Sequence, residues 1–304
     1  MKKMVDIDLK NKIIVTIDTE MDATIHWEKP YPPKFTSVTY GIPQMLRPIW
    51  DKYKIHPIYF VSNEVLQDAD ACRVLKNEVK KGAIIGTHLH PEYVLDTEHI
   101  KSGKGSKQFP CYACSTEEEK RKIVALTQEI ERKIGVKPIW YRAARFGADI
   151  DTIKILSELG YQYDSSVTPN INWRKKGGPD HSGGLHEPYY ISMQNYYKAS
   201  TEQENIIEVP VTIEEKRWGF IGNLLPENWL FYKWLRPTHM FLYEEKALVR
   251  KYKKEKKTLV MMFHSMEVMI NKSPYVRNKL MQQYYLYRLD RTIKYALKNG
   301  YESI

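Results

Sequence analysis

Three carboxylates stand at alternate positions in the stretch VTIDTEMD, and they follow directly on the branched apolar run KIIVTI. Asp18 and Glu20 share one face if the strand continues past Ile17, and Asp22 is a weaker third candidate that also suits a turn. Acids at such a place serve either as a solvated strand exit or as an acid–base or metal site. His88 and His90, in IGTHLHPE, lie two apart at another strand end, where both imidazoles can face one cation. Together with an acid of DTE they make a two-histidine, one-carboxylate set, a pattern suited to a hydrolytic, Lewis-acid metal. Arg142 and Arg145, in WYRAARFGAD, bring two guanidiniums able to orient a carboxylate by a forked contact or to hold an anionic substrate. His264, in MMFHSMEVM, sits where a histidine can protonate a leaving group. Asp164 opens DSSVTP and is suited to tuning a neighbouring charge or capping the next turn.

These residues need a scaffold that brings separate strand ends together. Strand-like runs are read at Lys12–Ile17, His56–Val61, Ala83–Thr87, Pro138–Tyr141, Ile206–Val211 and Thr258–Phe263. Helical periodicity lies between them. In STEEEKRKIVALTQEIERKIG a capping box is formed by Ser115 with Glu118, or Thr116 with Glu119, and Gly135 supplies the stop. A second helix is expected over Asp149–Leu159, closed by Gly160, and a last one from about Val276 to Lys298, closed by Gly300. Alternation of this kind predicts an α/β fold with parallel strands, as an open sheet or a barrel. In such folds catalytic groups gather at the carboxyl ends of the strands, where Asp18, Glu20, His88, Arg142 and His264 all fall.

The chain has 304 residues, 42% hydrophobic and 12% aromatic, with a formal charge of +10. That length suits one large α/β domain or two ordinary ones, a single domain over 1–304 is expected, and the core is ample. The positive balance suits an anionic partner such as a phosphorylated sugar, an acidic glycan or a membrane surface. No zinc-finger spacing, RNA-recognition signature or basic tail points to nucleic acid. Three cysteines make no disulfide framework, and Cys111 with Cys114 forms a single CxxC that receives no role. The lysine-led N-terminus lacks an apolar signal region, so a soluble cytoplasmic protein is expected. Residues 214–257, rich in Trp, Phe, Tyr and Leu and ending in a basic run, break the alternation as an insertion within the domain, suited to a lid, an oligomer interface or a segment resting on a membrane surface.

In order along the chain, TIDTE, GTHLHPE, YRAARFGAD, GYQYDSSVTP, IIEVPVT and MMFHS resemble the motifs of the polysaccharide deacetylases with the NodB homology domain. The resemblance is to the branch whose second motif is HLHP, and WLRPT and FHSMEVMINKSPYVRN are similar to that branch as well. It implies a distorted (β/α) barrel, usually of seven strands, and metal-dependent removal of an N- or O-acetyl group from a sugar, with zinc the expected cation. The general base of the first motif matches Asp18, but the next position, an acid ligand in the family, is Thr19 here. Either Glu20 takes the ligand role, or Asp18 binds metal and Glu20 is the base. His88 matches the first histidine ligand, with His90 as the second. Arg142 or Arg145 matches the arginine that holds the catalytic acid, and His264 the general acid. Backbone N–H groups near Tyr141 to Ala143 are expected to face the oxyanion, Trp27 and Tyr141 to bind substrate, and Trp27, Trp173 or tyrosines near Tyr189 to stack on sugar. The family's fourth-motif tryptophan is not evident after Asp164. The expected substrate is an acetylated sugar or glycan precursor, nucleotide-linked or lipid-linked, with peripheral contact at the inner membrane face. A non-sugar amidohydrolase and an inactive glycan-binding relative are the rival expectations.

Overall fold

The computed structural model describes residues 9–95, 111, 114–201, 206–216 and 232–304. The strands are β1 (Lys12–Thr19), β2 (Ile58–Val61), β3 (Ile84–Leu89), β4 (Trp140–Ala143), β5 (Tyr163–Asp164), β6 (Tyr189–Ser192), β7 (Asn195–Ala199), β8 (Ile207–Glu208), β9 (Ile213–Lys216), β10 (Tyr232–Trp234), β11 (Leu259–His264) and β12 (Glu302–Ser303). The helices are α1 (Arg47–Tyr53), α2 (Asn63–Leu66), α3 (Ala69–Lys80), α4 (Thr116–Ile134), α5 (Ile150–Leu159), α6 (Leu242–Lys254) and α7 (Lys279–Lys298), and a π-helical segment, Ser37–Leu46, runs directly into α1.

Seven strands pair in parallel in the order β11-β1-β2-β3-β4-β5-β8, and the antiparallel hairpin β6–β7 extends the far edge. The sheet is thus mixed and curls into a half-barrel. Its two parallel edges, β8 and β11, share no ladder. The seam is crossed instead by irregular backbone: Thr212 N donates to Val260 O at 3.1 Å, Leu235 N to Thr212 O at 2.9 Å, and Met262 N to Leu235 O at 3.3 Å. Sequence reading gave the eighth strand six residues, whereas only Ile207 and Glu208 pair. Pro210 lacks the N–H that a ladder needs, and the chain turns irregular there.

Strand pleat divides each run between two faces. Ile13, Val15 and Ile17 join the core under the helices, whereas Ile14 packs inside the curl with Ile58, Phe60, Trp140 and Val260. Gly86 lies on that inner face because Phe60 occupies the space: an added Cβ would stand 2.6 Å from the Phe60 ring. Helix ends follow the local chemistry. Ser115 Oγ accepts the N–H of Glu118, and Gly135 closes α4 in the left-handed region at φ 90°. Asp149 caps α5. The last helix starts at Lys279, because the Asn278 side chain accepts the Met281 N–H. Of residues 214–257, the described part forms the β9–β10 pair and α6, and 217–231 lie outside the described residues.

Candidate metal and acid–base centre

Parity along the strands selects what enters the centre. Asp18 and Glu20 continue the inward face of Ile14 and Thr16. Thr19 is buried on the other face, its hydroxyl donating to Ile17 O at 3.0 Å. The same alternation turns His88 inward from β3, Arg142 from β4 and His264 from β11. Ladder register then sets neighbours: Asp18 pairs with His264, and His88 with Arg142.

Glu20 lies at the middle. Its Oε1 is 3.3 Å from His88 Nε2, 3.4 Å from His90 Nε2 and 3.6 Å from His264 Nε2, and its Oε2 accepts from Lys29 Nζ at 2.6 Å. Burial opposes the charge on Glu20, but Lys29 and His90 outweigh it and hold the carboxyl well below its usual range. Asp18 Oδ1 accepts from Arg142 at 2.7 Å, and its Oδ2 lies 3.9 Å from His264 Nε2 and 4.0 Å from His88 Nε2. Here too burial raises the carboxyl, and Arg142 with His88 and His264 together more than offset it, so Asp18 is lowered.

Arg142 is fully enclosed. It also donates to Thr16 Oγ1 at 3.0 Å, to Ser165 Oγ at 2.8 Å and to Ser165 O at 2.8 Å, with the Phe60 ring 4.3 Å from its guanidinium carbon. Arg145 comes from the next turn, at φ 53°, and donates to Glu92 Oε1 at 2.8 Å instead. The two arginines left open by sequence therefore serve different carboxylates.

Each imidazole is aimed by a partner on Nδ1. His88 donates to the Arg142 carbonyl at 2.9 Å. His90 donates to Glu92 at 3.2 Å, and Glu92 sits on a short turn pinned by Lys122 Nζ through Pro91 O at 2.8 Å and Val94 O at 2.9 Å. His264 donates to Glu267 at 3.0 Å, and Arg236 grips the same carboxylate. Burial lowers His90, but Glu20 and Glu92 more than reverse it and raise its pKa to about 9, while His90 and Arg145 draw Glu92 down to about 2 against its burial. Four carboxylates thus each have one cation: Asp18 with Arg142, Glu20 with Lys29, Glu92 with Arg145, and Glu267 with Arg236.

The donor set fits a divalent cation. Donor atoms of Glu20, His88 and His90 lie within 4.8 Å of one another, as do those of Asp18, Glu20 and His264. His90 Nε2 is buried and makes no hydrogen bond among the described residues, although Glu20 Oε1 is near. Nδ1-anchored imidazoles with Nε2 turned inward are the usual support of a metal site.

Above this cluster lies a cavity of about 330 Å3, walled by Trp27, Phe146, Trp173, Trp234 and Tyr275, with Lys29, Arg145 and Arg236 among the lining groups. Trp27 approaches His264 at 5.1 Å between ring centroids. Tyr141 does not reach the cavity. It is on the outward parity of β4, buried, and its hydroxyl donates to Cys111 Sγ at 3.6 Å. Asp164 is outward as well, accepting from Ser166 at 2.6 Å and Tyr196 at 2.7 Å, beside its ladder partner Glu208. Burial raises both of these acids. The Ala143 N–H, expected to face an oxyanion, donates to Ser166 Oγ at 2.9 Å. Tyr189 is buried on Tyr196 O. Asp22 accepts from Thr36 N and Ser37 N and so starts the π-helical segment.

Sequence reading assigned nothing to Lys29, Glu92, Arg236 or Glu267. Glu92 and Glu267 had a local signal, since each follows its histidine by two or three residues on a tight turn. Lys29 arrives from a loop and left none, whereas Arg236 lies within WLRPT, a stretch noted for its resemblance but given no role.

No protein-family model and no curated protein matches the chain. Solved structures do match in fold. A Pseudomonas aeruginosa PAO1 protein described as a probable polysaccharide deacetylase is 13% identical with a TM-score of 0.52, over 95% of this chain and 85% of that one. A Puue allantoinase is 14% identical, with a TM-score of 0.52 over 97% and 87%. The 4-alpha-glucanotransferase of Thermococcus litoralis is 13% identical with a TM-score of 0.52, over 93% of this chain and 37% of its own. One scaffold carries all three names, so the likeness speaks for fold and the chemistry rests on the centre. The chain has a curled α/β half-barrel similar at low identity to that of the polysaccharide deacetylases, around a buried His/Glu/Asp cluster able to hold a divalent metal.

Proposed function

We propose that the protein is a metal-dependent hydrolase that removes an acetyl group from an acetamido sugar, nucleotide-linked or lipid-linked. The observation that carries this reading is the convergence of three Nε2 atoms on Glu20 Oε1 beside an arginine-clamped Asp18. Glu20, His88 and His90 are the ligands in this reading, and Asp18 is the base. A bound cation, zinc by its donor set, supplies Lewis acidity that polarises the acyl carbonyl and makes water easier to deprotonate.

The chain's own residues handle the protons. Asp18 is ionised, held by Arg142 and not by Lys29, so its Oδ2 is free to take a proton from the attacking water. Oxygen bonds to the carbonyl carbon, and the C–N bond then breaks. His264 Nε2, 3.9 Å from Asp18 Oδ2, gives its proton to the departing amine. Glu267 fixes that ring through Nδ1. The tryptophan walls suit the apolar faces of a pyranose.

Acetate release from a panel of N- and O-acetylated sugars, with and without a chelator, tests the reading. Chelator-sensitive release that is lost in His88→Ala supports it. Release indifferent to both overturns it, and turnover of cyclic amides alone would move the assignment to a non-sugar amidohydrolase.

A further inference from the structure

α7 begins beside the cavity, since Tyr275 lines the cavity four residues before Lys279 opens the helix. One stripe of the helix, including Tyr285, Leu289, Ile293 and Ala296, is buried in the core. The opposite stripe is apolar too, yet it is open: Leu280 is 76% exposed, Met281 45%, Tyr284 53% and Tyr287 50%. Positions 280, 284 and 287 fall on one helical face, so these side chains form a continuous patch rather than scattered exposure.

The unpaired charge around the patch is positive. Residues 271–291 contain five basic side chains and one acid: Lys272 is engaged by Asp22 at 3.5 Å, Arg288 is buried on Glu245 at 2.8 Å and Asp290 is engaged by Lys52 at 2.6 Å, which leaves Arg277, Lys279 and Arg291. Arg277 and Lys279 are exposed and meet only the carbonyl of Pro274 and the amide oxygen of Gln282, so no carboxylate among the described residues neutralises them. In the catalytic centre, by contrast, each cation already has its carboxylate. A phosphate therefore finds available positive charge at the rim and not beside the reacting group.

We propose that this face of α7 rests on an anionic lipid surface, with Leu280, Met281, Tyr284 and Tyr287 at the headgroup–acyl boundary and Arg277 and Lys279 on the lipid phosphates. Given the hydrolase reading above, on which this second step rests, the cavity then takes an acetamido sugar carried on a lipid phosphate. Tyrosines with a wet hydroxyl and basic neighbours suit that boundary. A second copy of the chain is the poorer occupant, because a two-fold contact lays the same basic-rich stretch of each chain against its counterpart.

Flotation of the full chain with phosphatidylcholine vesicles, with and without ~30 mol% phosphatidylglycerol, tests this. The wild type floats with the anionic vesicles, and Arg277→Glu/Lys279→Glu reduces the floated fraction by about tenfold or more. Leu280→Ser/Tyr284→Ser reduces it too, with unchanged circular dichroism. Wild type left at the bottom of the gradient, or flotation indifferent to charge reversal, overturns the proposal. So does a dimer in sedimentation that Leu280→Ser/Tyr284→Ser dissolves. Acetate release from a water-soluble chitin oligomer separates the two readings: flotation without any release overturns only the hydrolase, and release without flotation overturns only the lipid surface.

Discussion

Asp18 and His264 are register partners on adjacent parallel strands, with His264 Nε2 3.9 Å from Asp18 Oδ2. The ladder that joins β1 to β11 therefore sets the spacing of the two groups assigned to proton transfer. Residues that act as a unit lose activity together. Asp18→Asn and His264→Gln should each lower kcat by about two to four orders of magnitude. The double variant should be little worse than either single one. Losses that multiply in full would show that the two act separately.

Arg142 has a structural role that can be measured apart from turnover. Removing it leaves Asp18 buried without its cation, a change that typically costs about 3–5 kcal/mol. Urea denaturation of Arg142→Met should show a loss of that order. Adding Asp18→Asn to it should recover part of the loss, because the stranded charge is gone. Equal stability of the single and double variants would mean that the other contacts of Arg142 matter more than the pair.

Glu92 and Glu267 look alike but should behave differently. Glu92 aims a proposed ligand, His90, whereas Glu267 aims the proposed acid, His264. Zinc titration of Glu92→Gln should show affinity reduced about 10- to 100-fold. Glu267→Gln should keep wild-type zinc affinity and lose kcat. An equal loss of affinity in both would make His264 a ligand.

The metal-free protein should have a stability profile set by His90 and Glu92. His90 is raised from 6.5 to about 9 by its acids, so its stabilisation is complete below pH 6.5 and fades as the pH climbs towards 9. Glu92 is lowered from 4.5 to about 2, so its part is present above pH 4.5 and is lost as the pH falls towards 2. Thermal melts in chelator should decline across the upper window, and zinc affinity should rise across it, because the ligand must shed its proton. A melt profile flat from 6.5 to 9 would contradict the assignment.

Much of this centre was legible because strand parity is legible. Once KIIVTIDTE is read as a strand, Asp18 and Glu20 must share a face and Thr19 must leave it, and the ends of the third and last strands supply the histidines. The same rule, applied to PIWYRA, would have removed Tyr141 from the cavity, since it alternates with Arg142. Strand parity alone does not supply the partners. Lys29 and Arg236 come from irregular chain, and Arg236 reaches the cavity only because residues 234–236 fill the seam between Thr212 and β11. The shortness of β8 and the open edge follow from Pro210 and from backbone that pairs outside any ladder.

The central claim concerns one atom, Glu20 Oε1, and the imidazoles around it. Crystals of the zinc-loaded protein, measured at the zinc absorption edge, test it most directly. One anomalous peak bonded to Glu20, His88 Nε2 and His90 Nε2, with Asp18 still on Arg142, is the predicted result. A centre that takes up no metal, or a peak held by other residues, would contradict it.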